Sequence, residues 1–369
     1  MNQLFRWDQM GLFLLALAAG ILPFAVPEVC AAALREGLTL CGGPLLLSLF
    51  PFLVVSRLLI QCPESDLLAL PFRLAAWGIG IRTPCAARVL CIGFLGGFAP
   101  AASAAAQAVR TGQLTAEEAD ALLPACICSG PSFVVLTVGQ SLLGSAELGV
   151  LLFAAQITAN YLTAALLNRF AGVRSVKSRS AAPPSPAPPR LDEILADAAI
   201  TYCKLCGFIL FFRLLAAGAG ALLPASAGTL CAILLEVCSG CDLASRTGRW
   251  GSLLCCAALS VQGLSVLLQV RTICPPEMTL RPLYRARMLH LPLSLALFYL
   301  LLPGGEADVF STLPARVLLM RRVPPDCALL VFAVCCMAAC TLRSGIRQVE
   351  QKQMARNAGG CCINSKTLL

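Results

Sequence analysis

Glu236 is a carboxylate inside an otherwise apolar stretch: it ends the run that begins at Thr229 and is followed by Val237-Cys238-Ser239-Gly240. In hydrocarbon such a group is unfavourable unless paired, protonated or wet. Glu236 is therefore either a proton or solute ligand, or half of a structural ion pair with Arg213 as the cation. A second polar interruption, Ser129-Gly130-Pro131-Ser132, sits in the middle of the apolar run Ala121–Leu143. Pro131 has no backbone N–H and Gly130 is a weak helix former, so carbonyls are freed there that must find protein partners or line a cavity. The hydroxyls of Ser129, Ser132 and Thr137 can supply those partners, or Ser129 can contact a solute where Gly130 opens space. Gln262 and Gln269 lie seven positions apart, two helical turns on one face, where amides either join helices or bind ligand. Paired interruptions in the two halves of a membrane chain point to a solute site. The candidate solute-binding set is therefore Ser129, Gly130, Pro131, Ser132, Glu236, Ser239, Gly240, Gln262 and Gln269.

Other chemistry is weakly represented, and no enzyme activity, cofactor or metal is expected. An intramembrane serine enzyme would need a Ser and a His facing each other at depth, and His290, the only histidine, falls at the start of an apolar run beside Pro292. Asp242 lacks the flanking glycines and the second aspartate of an intramembrane aspartyl site. The chain carries 21 cysteines, and Cys203/Cys206 and Cys238/Cys241 have metal- or redox-like spacing. With no matching histidine cluster, packing between helices is the better use for this small, polarisable residue. Gly93, Gly96 and Gly97 make a close-packing device; no strand precedes them and no Lys-Ser/Thr follows to make a phosphate cradle.

The elements that must hold these residues are membrane helices. Mean hydropathy is +0.80, and 58% of residues are hydrophobic against 13% charged, which excludes an ordinary soluble domain. The apolar runs are continuous rather than alternating, which excludes a β-barrel. Windows of about 20 residues place about eight transmembrane helices near 11–27, 38–60, 121–143, 146–167, 195–222, 251–270, 288–303 and 327–342. The first run, Gly11–Val26, lacks a small-residue cleavage site and is read as a retained helix. The punctuated run between Leu67 and Gly80 is too short to span and is read as an interfacial helix. Thr115 with Glu118 forms a capping box, and Ser180–Arg190, with five prolines, reads as an extended linker. A net charge of +9 reports basic cytoplasmic loops rather than nucleic acid, because aromatic-interleaved basic patches are absent.

Two further apolar segments, 85–108 and 228–243, are settled by charge. If both are re-entrant hairpins, 19 Lys and Arg fall in cytoplasmic segments and 6 outside; if both cross, the count is 12 against 12. The hairpins satisfy the positive-inside rule, with both termini cytoplasmic. The expected fold is an all-α polytopic membrane protein, with eight helices and two re-entrant hairpins in an inverted repeat. Its parts are N-terminal helices (1–66), a first repeat (67–170), a Pro-rich basic linker (171–194), a second repeat (195–345) and a tail (346–369). The expected partners are the lipid bilayer and a small polar solute; nothing in the chain sets the oligomeric state.

Four segments occur in an order that resembles a known family: Gly93-Phe94-Leu95-Gly96-Gly97-Phe98, then Cys126 through Phe133, then Glu236-Val237-Cys238-Ser239-Gly240, then Gly263-Leu264-Ser265-Val266 with Gln269. Together, over roughly 85–345, they resemble bacterial sporulation integral membrane proteins of the YlbJ type, built on the nucleoside-recognition or Gate domain. The resemblance implies a multi-pass protein of the cell membrane of a spore-forming bacterium that moves or gates a small polar solute during sporulation. The alternative is a non-transporting scaffold for spore envelope (cortex or coat) assembly. The chain departs from the family pattern at Ala99 and Ser103, where a proline and a lysine are expected, and at Ile127 and Cys128, where two asparagines are. Gln262 and Leu267 stand where a glycine and a histidine belong. These changes imply a divergent solute or a lost transport activity.

Overall fold

The computed structural model describes residues 2–61, 63–171 and 191–302. The linker at 180–190, the expected span at 327–342 and the tail at 346–369 lie outside the described residues. Among the described residues the chain is 86% helix with no strand, so the core they form is built by helix-on-helix packing. The helices are α1 (Asn2–Ala25), α2 (Pro27–Gly42), α3 (Pro44–Gln61), α4 (Leu70–Gly78), α5 (Pro84–Gly96), α6 (Phe98–Arg110) and α7 (Ala116–Cys126). A π-wound segment, Ser132–Leu142, continues from α7 after a five-residue break. Then come α8 (Ala146–Phe170), α9 (Leu191–Leu222), α10 (Ala225–Leu235), α11 (Val237–Ser245), α12 (Gly251–Val261), α13 (Gly263–Ile273) and α14 (Arg281–Leu301).

Among the described residues three helical stretches are long and apolar enough to cross a membrane: Ala146–Phe170, Leu191–Leu222 and Gly248–Ile273. A fourth exists if Phe13–Ala25 and Pro27–Gly42, bent by 113° at Val26, count as one. Seven of the eight expected spans fall within the described residues, and the shortfall among those seven has local reasons. Gly43 and Pro44 divide the run at 38–60 between α2 and α3, and Ile127–Pro131 divide the run at 121–143. α14 starts earlier than expected and draws Arg281, Arg285 and Arg287 into its first two turns. The short run after Leu67 does form a helix, α4, and the Thr115–Glu118 capping box is made in full.

The same order of elements occurs twice. A helical pair (α5 and α6) precedes a broken helix (α7 and the π-wound segment) and the long α8. A second pair (α10 and α11) precedes a helix broken at Gln262 (α12 and α13), a short loop and α14. α6 lies at the centre, with every residue from Ala99 to Ala106 buried. Its alanines have no bulk to hold neighbouring backbones apart, so α3, α5, α7 and α13 all pack on it.

Candidate functional site

Gly97 is the joint between α5 and α6, with φ 79° and ψ −163°, a conformation essentially restricted to glycine. A Cβ there would lie 2.6 Å from the backbone N of Gly130, so the tip of the first helical pair abuts the first break. The second half has the same contact with the partners exchanged. Gly263, at φ 70°, restarts the broken helix, and its Cβ would lie 3.0 Å from the N of Glu236 and the carbonyl of Leu235. In each half, then, the tip of a helical pair touches the break of the helix that follows.

Between these two contacts lies a small cleft, with about 50 Å3 open to water. Gly96, Phe98, Ser129, Gly130 and Ser132 line it from the first half and Glu236, Cys238, Val266 and Gln269 from the second; Leu45, Leu49 and Ile209 close it from α3 and α9. Five of the nine candidate residues, Ser129, Gly130, Ser132, Glu236 and Gln269, thus share one cavity. Gln262 sits just behind it, its amide donating to Ser129 Oγ at 3.3 Å. Pro131, Ser239 and Gly240 are not in the lining. Pro131 opens the π-wound segment. Ser239 is buried without a partner for its hydroxyl among the described residues. Gly240 serves packing, since a Cβ there would lie 2.8 Å from Ile233 Cα.

Glu236 is 2% exposed and both ends α10 and caps α11. One carboxylate oxygen accepts from the Cys238 N–H at 2.8 Å and the other from the Ser239 N–H at 2.7 Å. The expectation of an ion pair with Arg213 is corrected here: the Arg213 guanidinium donates to Glu36 at 2.7 Å. The compensation that Glu236 receives is the N-terminal dipole of α11 and its free N–H groups. The expectation that Gln262 and Gln269 share one helix face is corrected as well. The helix stops at Val261, Gln262 adopts the left-handed conformation (φ 65°), and a new helix begins at Gly263. Gln262 joins elements, donating also to the Leu259 carbonyl at 2.6 Å. Gln269, which lines the cleft, donates to Ser265 Oγ at 2.9 Å, while its buried Oε1 has no partner among the described residues.

A buried polar seam behind the cleft is absent from the candidate set. Arg287 of α14, placed by the charge count in a cytoplasmic loop, is buried. It donates to the carbonyl of Ile127, and at 3.3 Å to that of Ser260. Asn160 of α8 also reaches the Ile127 carbonyl, at 3.4 Å. Gln156 donates to Ser260 Oγ at 3.0 Å and to the Cys256 carbonyl at 3.2 Å. Ser260 and Ser294 share a hydroxyl hydrogen bond of 2.5 Å. His290 meets the backbone carbonyl of Gln156 at 3.2 Å, so its one described contact is structural. The spacing carried a usable signal: Gln156, Asn160 and Thr163 recur along one face of α8, as do Arg287, His290 and Ser294 along α14. Asp120, another buried carboxylate, accepts from Thr279 N, Thr279 Oγ1 and Leu280 N, tying α7 to the loop before α14 where Leu280 is held at φ 56°. Among the described residues no three His, Cys, Asp or Glu side chains come together as a metal site.

No family model, curated protein or solved structure matches the chain.

Proposed function

We propose that this chain is a multi-pass protein of a bacterial cell membrane in which two hairpin-plus-broken-helix units, inverted relative to one another, bind a small polar solute and move or gate it. The observation that carries this reading is the cleft at the meeting point of both tips and both breaks. Broken helices inside hydrocarbon are tolerated where they are buried in protein or line a cavity, and solutes in repeat-built carriers bind where such breaks meet. The membrane setting is supported by large apolar side chains that face outward, among them Phe13, Leu17 and Phe24 of α1, Val150 and Leu166 of α8, and Leu230 and Leu234 of α10. Against water these would be an unfavourable patch; against lipid they are ordinary. In this reading the helical pairs α5–α6 and α10–α11 are re-entrant hairpins.

The chemistry of the wall defines the solute. The first turns of α6 and of the π-wound segment reach the cleft and carry no side-chain cap, so their free N–H groups offer donors. Glu236 and the unpartnered Oε1 of Gln269 offer acceptors. Donors and acceptors on facing walls, with one carboxylate already present, suit a neutral, hydroxyl-bearing solute better than a multiply charged anion. Gln262 holds the left-handed backbone conformation that glycine favours.

The test is a melting screen of detergent-purified protein against nucleosides, polyols and small acids, beside reporter fusions at Ala187 and the C-terminus. One class of hydroxyl-bearing compound should raise the Tm, Gln269→Leu should remove that shift, and both reporters should read cytoplasmic. If no compound shifts the Tm and Gln269→Leu leaves sporulation intact, the scaffold reading replaces this one. An external reading at either fusion point would remove the two-hairpin topology.

A further inference from the structure

The cleft collects the N-terminal starts of half-helices; the opposite ends of the two broken helices converge elsewhere. α7 ends at Cys126 with Ile127 as its cap, α12 ends at Val261, and the carbonyls of Ile127 and Ser260 both point at one side chain, Arg287. Each helix C-terminus carries roughly half a negative charge and carbonyls without intrahelical partners. Two such ends brought together in a buried place call for a cation, and broken-helix carriers commonly fill that position with sodium or a proton. Here the cation is covalently part of the chain. Arg287 is 8% exposed, and no carboxylate among the described residues lies within ion-pair distance of it. A buried guanidinium without a carboxylate needs other compensation. The two carbonyls, shared on one side with the amide of Asn160, provide it for the two terminal nitrogens, while Nε has no partner among the described residues.

We propose that Arg287 is a tethered replacement for a coupling cation, bridging the half-helix C-termini of both repeats so that the paired breaks hold without any bound alkali ion. A planar fork with its nitrogens on two carbonyls from different halves does what a coordinated ion does between half-helices, and it cannot dissociate. The chain would then gate or bind its solute without sodium coupling. α14, which carries Arg287 and packs on α7, α8 and α12, would be the element that registers whether the two halves are in place. The inference rests on the hydrogen-bond geometry and holds whether or not a solute is carried.

Full-length protein in detergent can test this by thermal melting in sodium, potassium or choline chloride at equal ionic strength, with Arg287→Met and Arg287→Lys alongside. The wild type should melt at the same temperature in all three salts. Arg287→Met should melt lower by roughly 5 °C or more, and guanidinium chloride at low millimolar, non-denaturing concentration should restore part of that loss where choline chloride does not. Arg287→Lys, which keeps the charge and loses the fork, should fall between. Selective stabilisation of the wild type by sodium would overturn the proposal, because the carbonyls would then still bind an alkali ion. Wild-type melting of Arg287→Met would overturn it too. If Arg287→Met is unstable, gains nothing from guanidinium and is matched by Arg287→Lys, the side chain serves packing alone and the proposal also fails. Should Arg287→Met not accumulate, the wild-type salt series and the Lys variant still decide.

Discussion

The two halves of this molecule build the same joint from opposite materials. In the first, the tip of the helical pair is Gly97 and the break is Ile127-Cys128-Ser129-Gly130-Pro131, so backbone meets backbone and a serine hydroxyl is the side-chain polar group. In the second, the tip is Glu236 and the break is Gln262-Gly263, so a carboxylate and an amide enter the same place. Glycine and proline interrupt a helix by what they lack, an N–H or a Cβ. Glu236 interrupts it by what it offers, since its carboxylate accepts the N–H groups that start the next helix. The first half therefore contributes space and free N–H groups to the cleft, and the second contributes its charge. Under the proposed solute-binding reading, symmetry of architecture with asymmetry of chemistry would suit an unsymmetrical solute.

The sharpest way to break this comparison is at the tips. Gly97→Val should abolish accumulation of folded protein, because a glycine-only conformation and a 2.6 Å contact coincide there; a penalty of about 4 kcal/mol or more is expected. Gly130→Ala, whose Cβ would find its nearest atom at 3.4 Å, should fold and narrow the cleft. Size-exclusion profiles of the two variants in detergent decide it, and a well-folded Gly97→Val would show that the tip-to-break contact is dispensable.

Glu236→Gln comes next. The amide retains one acceptor and loses the charge at the start of α11, so the Tm should fall by the equivalent of about 1–2 kcal/mol, with any ligand-induced shift abolished. Its counterpart in the first half is Pro131→Ala, which adds an N–H and permits a more continuous helix. Here the Tm should hold or rise while flux drops. If instead Glu236→Gln melts as the wild type and keeps its ligand response, the two halves are chemically equivalent and the asymmetry is incidental.

The smallest effect is at Gln262. Gln262→Ala loses the bonds to Ser129 and Leu259 and keeps a side chain at φ 65°, whereas Gln262→Gly loses the same bonds and relieves the backbone. The glycine variant should be the more stable of the two by about 1 kcal/mol. Equal melting temperatures would mean that the left-handed turn stores no strain.

Much of the site was legible because its signals are one-dimensional. A Gly-Pro step within an apolar run and a glutamate ending another are visible without any fold, and Ser129, Gly130, Ser132, Glu236 and Gln269 do come together. What misled was continuity. Treating 251–270 as one helix put Gln262 and Gln269 on a single face, because nothing in a glutamine's type announces a left-handed backbone. Similarly, Arg287 looked like one more basic loop residue beside Arg281 and Arg285. Its burial follows from where α14 starts and from what α14 packs against. The Arg213 pairing failed for a related reason: the competing carboxylate, Glu36, is 177 residues away in the chain.

Composition and hydropathy along the chain were enough to determine that it is helical, that several helices are apolar enough to cross a membrane, and where some of them break. These are local consequences of helix propensity and of apolar runs near bilayer length. Only the tertiary structure decided which broken end faces which. Whether a free N–H or carbonyl meets a cleft, a carboxylate or a guanidinium depends on which distant segment packs beside it, and helix propensity carries no information about that.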